Sequence, residues 1–364
     1  MNPSNLIVPA TLLLAQAAAA QSFYEAVDIG VLPGQFSSTA TDINQQQTVI
    51  GNSGNRAFVY SKCKLTDLGD LGGNEAAALD LNEEGVIVGK SRRQDGLLRA
   101  FRHSGGIMQE LGGAPDASSP LKLDHVATAI SSFDVPVGVA TLSPSGLAPE
   151  GVVYLIDTTF PLPKFALHPP SGVGPMGNVT DVNDSMRVTG TLQSSEGLIG
   201  LVSRTGLGPW ARITGLPALG PDVAPNAINE KHHTVGQAGS MSGAFHAFLS
   251  TDPTLPATDL GTLGGSLSAA NDINNNDFVV GFSISAKGDL AAFLHNGKSM
   301  IDLNSLLING ANWQLTEATA INDNNEIVGL GFHNGQVRAF LLLPRSNPNV
   351  GFPNCGVATQ GKEK

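Results

Sequence analysis

The chain has 364 residues, with Gly 43 and Pro 22, 14% charged and 5% aromatic residues, and a formal net charge of −11. So many turn formers and so few Lys, Glu and Arg argue against a helical protein, and 41% apolar residues argue against a disordered one. The negative charge excludes a nucleic-acid partner, because phosphate binding needs concentrated Lys and Arg; the densest basic cluster, Lys90, Arg92 and Arg93, reads as a solvated turn.

Residues 1–20 read as a signal peptide. Leu6 to Ala20 is apolar apart from Thr11 and Gln16, and Ala18-Ala19-Ala20 offers the small side chains of a cleavage site. The run is shorter than the roughly 20 residues a membrane-spanning helix needs, and nothing after it is long and apolar enough to span. The mature chain is therefore expected to be secreted, extracellular or periplasmic, without a transmembrane segment. A short strand follows at Phe23 to Ile29.

From there a repeat takes over. An apolar-Asn pair is followed seven residues after the Asn by a Gly: Ile43-Asn44 with Gly51, Leu81-Asn82 with Gly89, Val182-Asn183 with Gly190, and Ile228-Asn229 with Gly236. Ile273-Asn274 with Gly281 and Ile321-Asn322 with Gly329 complete the Asn copies, and Ile130-Ser131 with Gly138 is a variant third copy. A small-residue stretch precedes each pair, and Ala-Phe follows the Gly at Ala57-Phe58, Ala100-Phe101, Ala247-Phe248, Ala292-Phe293 and Ala339-Phe340. Copies three and four carry Val152-Val153 and Leu201-Val202 there instead. An acid-Leu-Gly or acid-Ile-Gly turn recurs at Asp28, Asp67, Glu110 and Asp259.

Each element suits a short strand, and the residues between Asn and the next apolar run suit a tight hairpin. Gly85, Asp134, Asp277 and Asn325 stand where such a turn tolerates positive φ; Met186 and His232 fit less well, so those two turns are expected to differ. Four antiparallel strands per repeat of about 45 residues make a propeller blade. The recurring Gly would let neighbouring sheets approach, with the Phe filling the space between them. The last copy ends after its third strand, and the N-terminal strand is of the missing fourth type. The expected fold is therefore all-β: a seven-bladed β-propeller of four-stranded antiparallel blades over 21–344, closed by the N-terminal strand, with 345–364 as a C-terminal tail.

Leu260-Gly261-Thr262-Leu263-Gly264-Gly265, Asp272-Ile273-Asn274, Val279-Val280-Gly281 and Ala292-Phe293-Leu294 resemble the HAF repeat. That family of extracellular bacterial proteins is named after a His-Ala-Phe tripeptide, which stands here once, as His246-Ala247-Phe248; Arg56, Arg99, Ala291 and Arg338 replace the His elsewhere. The resemblance implies export and a repetitive β fold, and supplies no activity.

No catalytic or cofactor motif is present. Asp272 to Asp277 alternates oxygen ligands, but a calcium loop would want Gly where Asp277 stands and Glu where Ser283 stands, so a hairpin turn is the better reading. His232-His233 lacks a third ligand at metal spacing, and no metal site or cofactor is expected. The recurring acids Asp28, Asp67, Glu110, Asp259 and Asp302 either ring one end of the barrel or bond the backbone of their own turns. Cys63 and Cys355 are either one disulfide or two unrelated thiols. Long Pro- and Gly-rich segments in copies three and four, 113–124 and 161–177, make His125, Lys164 and His168 the candidate ligand contacts. The expected function is a non-catalytic repeat protein binding a glycan or protein through propeller loops. The alternative is a polysaccharide hydrolase or lyase with its site assembled on one face.

Overall fold

The computed structural model describes residues 23–111, 122–143, 150–153, 165–166, 177–195, 197–205, 208–239 and 244–345. The expected signal peptide at 1–20 and the tail beyond Arg345 lie outside them. Among the described residues no helix is long and apolar enough to cross a membrane.

The chain folds as an all-β propeller. Among the described residues, strands pair in chain order into four-stranded antiparallel sheets, seven in number. Their innermost strands are Thr39–Ile43, Gly72–Leu81, Lys122–Ile130, Asn178–Val182, Asp222–Ile228, Gly264–Ile273 and Trp313–Ile321, one for each copy of the repeat. In copy seven the fourth strand is Phe23–Asp28, which runs antiparallel to Gln336–Arg345, with Tyr24 opposite Pro344 and Asp28 opposite Phe340. Apolar clusters lie between successive sheets. One joins Ile43, Val49 and Phe58 of the first copy to Ala320, Val328 and Leu341 of the last.

One register recurs. Gly51 pairs with Phe58, Gly89 with Phe101, Gly236 with Phe248, Gly281 with Phe293 and Gly329 with Phe340. In the two variant copies Gly138 faces Val152 and Gly190 faces Leu201. All five Phe rings are fully buried.

The glycines' role differs from the one expected. The innermost strand of every copy carries an irregularity in register two residues before the apolar-Asn pair, for instance between Ala270 and Asp272. This bulge tilts a carbonyl toward the glycine of the second strand. A Cβ on Gly281 would stand 2.0 Å from the Ala269 oxygen, and one on Gly51 2.1 Å from the Thr39 oxygen. The close approach is thus within one sheet, not between two.

The hairpins after the Asn are also more uniform than expected. Met186 (φ 59°) and His232 (φ 68°) take the same left-handed conformation as Gln47, Asp134, Asp277 and Asn325. Their sequences suit it less, but the Asn side chain fixes the turn. Asn183 Oδ1 accepts from Arg187 N at 2.9 Å, and Asn229 Oδ1 accepts from His233 N at 3.0 Å.

Candidate functional site: the axial cavity

The turns that follow the innermost strands converge at one end of the axis, and side chains tie each to the next. The Asn side-chain amide donates to the carbonyl of the corresponding residue one copy on: Asn44 to Asn82 (3.2 Å), Asn82 to Ser131 (3.3 Å), and Asn183 to Asn229 (3.0 Å). Asn229 then reaches Asn274 (3.0 Å), Asn274 reaches Asn322 (3.0 Å) and Asn322 returns to Asn44 (3.1 Å). These six Asn are buried.

The residue after the Asn, or after Ser131 in copy three, makes a second set of ties in every copy but the second, its backbone N–H donating to the side chain of its counterpart. Gln45 bonds Glu83 (3.1 Å), Ser132 bonds Asp184 (2.8 Å) and Asp184 bonds Glu230 (2.8 Å). Glu230 bonds Asn275 (2.9 Å), Asn275 bonds Asp323 (2.7 Å) and Asp323 bonds Gln45 (3.1 Å).

A third set comes from the residue before the apolar-Asn pair, which is Asp in copies one, two, four and six and Ala in the others. Each carboxylate accepts from its own neighbour's N–H and from the next copy's: Asp42 from Ile43 and Leu81, Asp80 from Leu81 and Ile130, Asp181 from Val182 and Ile228, Asp272 from Ile273 and Ile321, all at 2.7–3.0 Å.

Together these groups enclose a cavity of about 530 Å³. The four Asp line its depth, and Glu83, Asp184, Glu230 and Asp323 line its outer turn; no Lys, Arg or His lines it. Confinement disfavours charge there. Burial pushes Asp181 and Asp272 up to about 7, with nearby carboxylates adding to the effect. Asp80 is raised well above the usual carboxylate range, first by burial and then by Asp42, with which it also hydrogen-bonds. Glu83 and Glu230 are raised by burial as well. A carboxylate has about four lone-pair sites, and each Asp spends two on backbone N–H groups, so each keeps bonding capacity at the cavity it lines. Among the described residues no group of three or more His, Cys, Asp or Glu is placed to hold a metal ion, and the lining is a hydrogen-bonding surface.

Of the candidate ligand contacts singled out in the sequence, the described one does not line this cavity. His125 is buried on the innermost strand of copy three, and burial together with Arg99 lowers it to about 4. Lys164 and His168 lie outside the described residues. His232 and His233 are turn residues, His233 bonding Asp277 at 2.8 Å and His232 meeting the Asn183 amide at 3.0 Å. Cys63 sits on the tip between the third and fourth strands of copy one with φ 62°; Cys355 lies outside the described residues.

The recurring acids do not ring the axis. Asp28, Asp67, Asp259 and Asp302 lie at the ends of the outermost strands and accept from the N–H two residues on, at 2.7–2.9 Å. The same acids pair with the first position of the His-Ala-Phe element: Asp67 with Arg56, Glu110 with Arg99 (3.1 Å), Asp259 with His246 (2.9 Å) and Asp28 with Arg338 (3.9 Å). His and Arg interchange there because either can donate to a carboxylate across neighbouring strands.

Sequence alone does not mark the cavity residues as a site, although several belong to the Asp-Ile-Asn run. The Asp alternates with Ala between copies, and the residue after Asn varies among Gln, Glu, Ser, Asp and Asn. Only convergence on one axis makes them a set.

The chain matches no known family profile and no curated protein sequence. Among solved structures it is similar to a puromycin-hydrolyzing peptidase of Mycobacterium tuberculosis: TM-score 0.51, 11% identity, covering 91% of this chain and 57% of that one. It is also similar to the extracellular domain of a two-component system from B. thetaiotaomicron (TM-score 0.51, 9% identity, 87% of this chain and 40% of that one). A streptogramin B lyase gives a TM-score of 0.49 at 10% identity, covering 88% and 98%. At such identities the likeness is one of fold alone. The class is that of the β-propellers with four-stranded antiparallel blades.

Proposed function

We propose that this is an exported, non-catalytic protein of the HAF-repeat kind that binds a small hydroxyl-rich ligand, one or two sugar units of a glycan, in the axial cavity. The observation that carries the reading is the cavity itself: about 530 Å³, within the range of small-ligand sites, with polar groups from successive copies converging on it. Its chemistry favours hydroxyls. Carboxyl groups that are largely protonated below about pH 7 both donate and accept, as a sugar hydroxyl requires, and the absence of cations from the lining disfavours anions.

The reading includes one seven-bladed ring closed by the N-terminal strand. It is supported by the Asn322 to Asn44 bond, by the apolar cluster between the first and last copies, and by Asp28 partnering Arg338 as Asp67 partners Arg56. The test is a glycan panel followed by titration calorimetry on the mature chain. Ser132→Trp, at the mouth, should abolish binding of whatever sugar is found. Binding unaffected by Ser132→Trp, or no sugar bound at millimolar concentration, would sink the proposal.

A polysaccharide hydrolase or lyase on this face is the second reading. It is favoured by Asp80, whose carboxyl is raised well above the ordinary range by burial and by the neighbouring Asp42, the direction a general acid needs. Release of reducing ends or unsaturated sugars by the wild type, lost in Asp80→Asn, would install it instead.

A further inference from the structure

The axial tie between copies is not uniform, and its weakest point is internal. Every junction except one carries at least two of the axial bonds. Copies six and seven are joined by Asn274, Asn275 and Asp272. The terminal junction, seven to one, has Asn322 to Asn44, Asp323 to Gln45, and Thr319 Oγ1 to the Ala40 carbonyl at 3.0 Å.

Between copies three and four the set collapses. Ser131 stands where Asn belongs and is too short to donate across; its Oγ serves its own turn, accepting from Val135 N at 3.3 Å. Ala129 stands where Asp belongs and has no oxygen for Val182 N. Among the described residues only Ser132 N to Asp184 Oδ1 remains at the axis. Apolar packing persists there, with Ala129 and Val137 against Val179 and Val182. Apolar packing with a single directional bond resists separation less than packing reinforced by two or three.

We infer that the ring opens locally between copies three and four, and does so before the terminal closure gives way. The inference rests on the single-ring reading given above. Opening there parts one wall of the axial cavity, so the same seam is the expected side entrance for a ligand too large for the mouth.

Ala129, Ala227 and Ala320 occupy one structural position in copies three, five and seven, and are 1%, 6% and 3% exposed. Each faces its own junction: three to four, five to six, and seven to one. Ala→Cys at each position in the full chain, with native-state labelling followed by mass spectrometry, compares the three openings directly. The cysteine at 129 should label at least about tenfold faster than those at 227 and 320. Adding Ser131→Asn, which restores the missing donor, should slow it about fivefold, the effect of one buried hydrogen bond. If Ser131→Asn does not fold, the other repair is Ala129→Asp, read at Val137→Cys. Equal rates at all three positions, or a fast rate at 129 that neither repair slows, overturns the inference. Fastest labelling at 320 overturns it too, and takes the closed ring with it.

Discussion

The side-chain amide of Asn322 donates to the backbone carbonyl of Asn44 at 3.1 Å, across 278 residues of chain. It makes the same bond that Asn274 makes to Asn322 between adjacent copies. The first and last copies therefore meet through the same contact that joins the other Asn-bearing copies to their successors, and the same side chain also accepts from Asn324 N and Glu326 N.

Asn322→Ala removes that bond, leaving the Asn44 carbonyl only the Gln47 N–H of its own turn, and strips the turn at 322 of its side-chain acceptor. The expected loss is about 1–3 kcal/mol in chemical denaturation. Asn324→Ala, on the exposed tip of the same turn, should cost much less. Equal losses in the two variants would mean that the axial bond contributes nothing specific.

Gly281→Ala should destabilise although its backbone lies outside the left-handed region. The new Cβ would sit 2.0 Å from the Ala269 oxygen, a backbone atom that cannot swing away. Relief requires flattening the bulge, at a cost on the order of 1–3 kcal/mol, and Gly281→Val should cost more. A thermal midpoint unchanged in the Ala variant would show that the bulge is soft.

Asp181 and Asp272, raised to about 7 from the ordinary 3.8, give the folded protein more bound protons than the unfolded chain between those limits. Their contribution is greatest below about pH 4, is lost as pH rises toward 7, and is flat above that. His125, lowered to about 4 from 6.5, acts in the opposite direction between pH 4 and 6.5. The informative quantity is therefore the difference between wild type and the Asp181→Asn, Asp272→Asn double variant. Denaturation midpoints across pH 4–8 should fall more steeply in the wild type. Parallel profiles would mean that these carboxyls ionise normally.

Cys63 lies on a turn tip of the first copy, and no free cysteine is found among the described residues. We expect it to be bridged to Cys355, the only other cysteine, which would fasten the tail to the first copy. Closing so long a loop is worth roughly 5–6 kcal/mol by chain entropy. Thiol titration of the unfolded, unreduced protein should find no free thiol. Two would remove the bridge, and a midpoint unmoved by reduction would remove its role in stability.

The sequence by itself determined the repeating unit. Spacing of Asn and Gly, the Ala-Phe element and the acid-Leu-Gly turns are local, and each specifies a strand or a hairpin through short-range chemistry. Their order therefore carried over to the pairing of small-residue, Gly, Phe and acid strands within each sheet. What the Gly opposes was not legible, because the bulged carbonyl of Ala269 reaches Gly281 only once the strands are paired. Nor was the purpose of Asp42, Asp80, Asp181 and Asp272. They are separated by dozens of residues and interrupted by Ala129, Ala227 and Ala320, and become a cavity lining only where the copies converge on one axis. The turns at Met186 and His232 show the same division. Local propensity argues against left-handed backbone there, and the bonds that Asn183 and Asn229 make to their own turns and to the next copy decide in its favour.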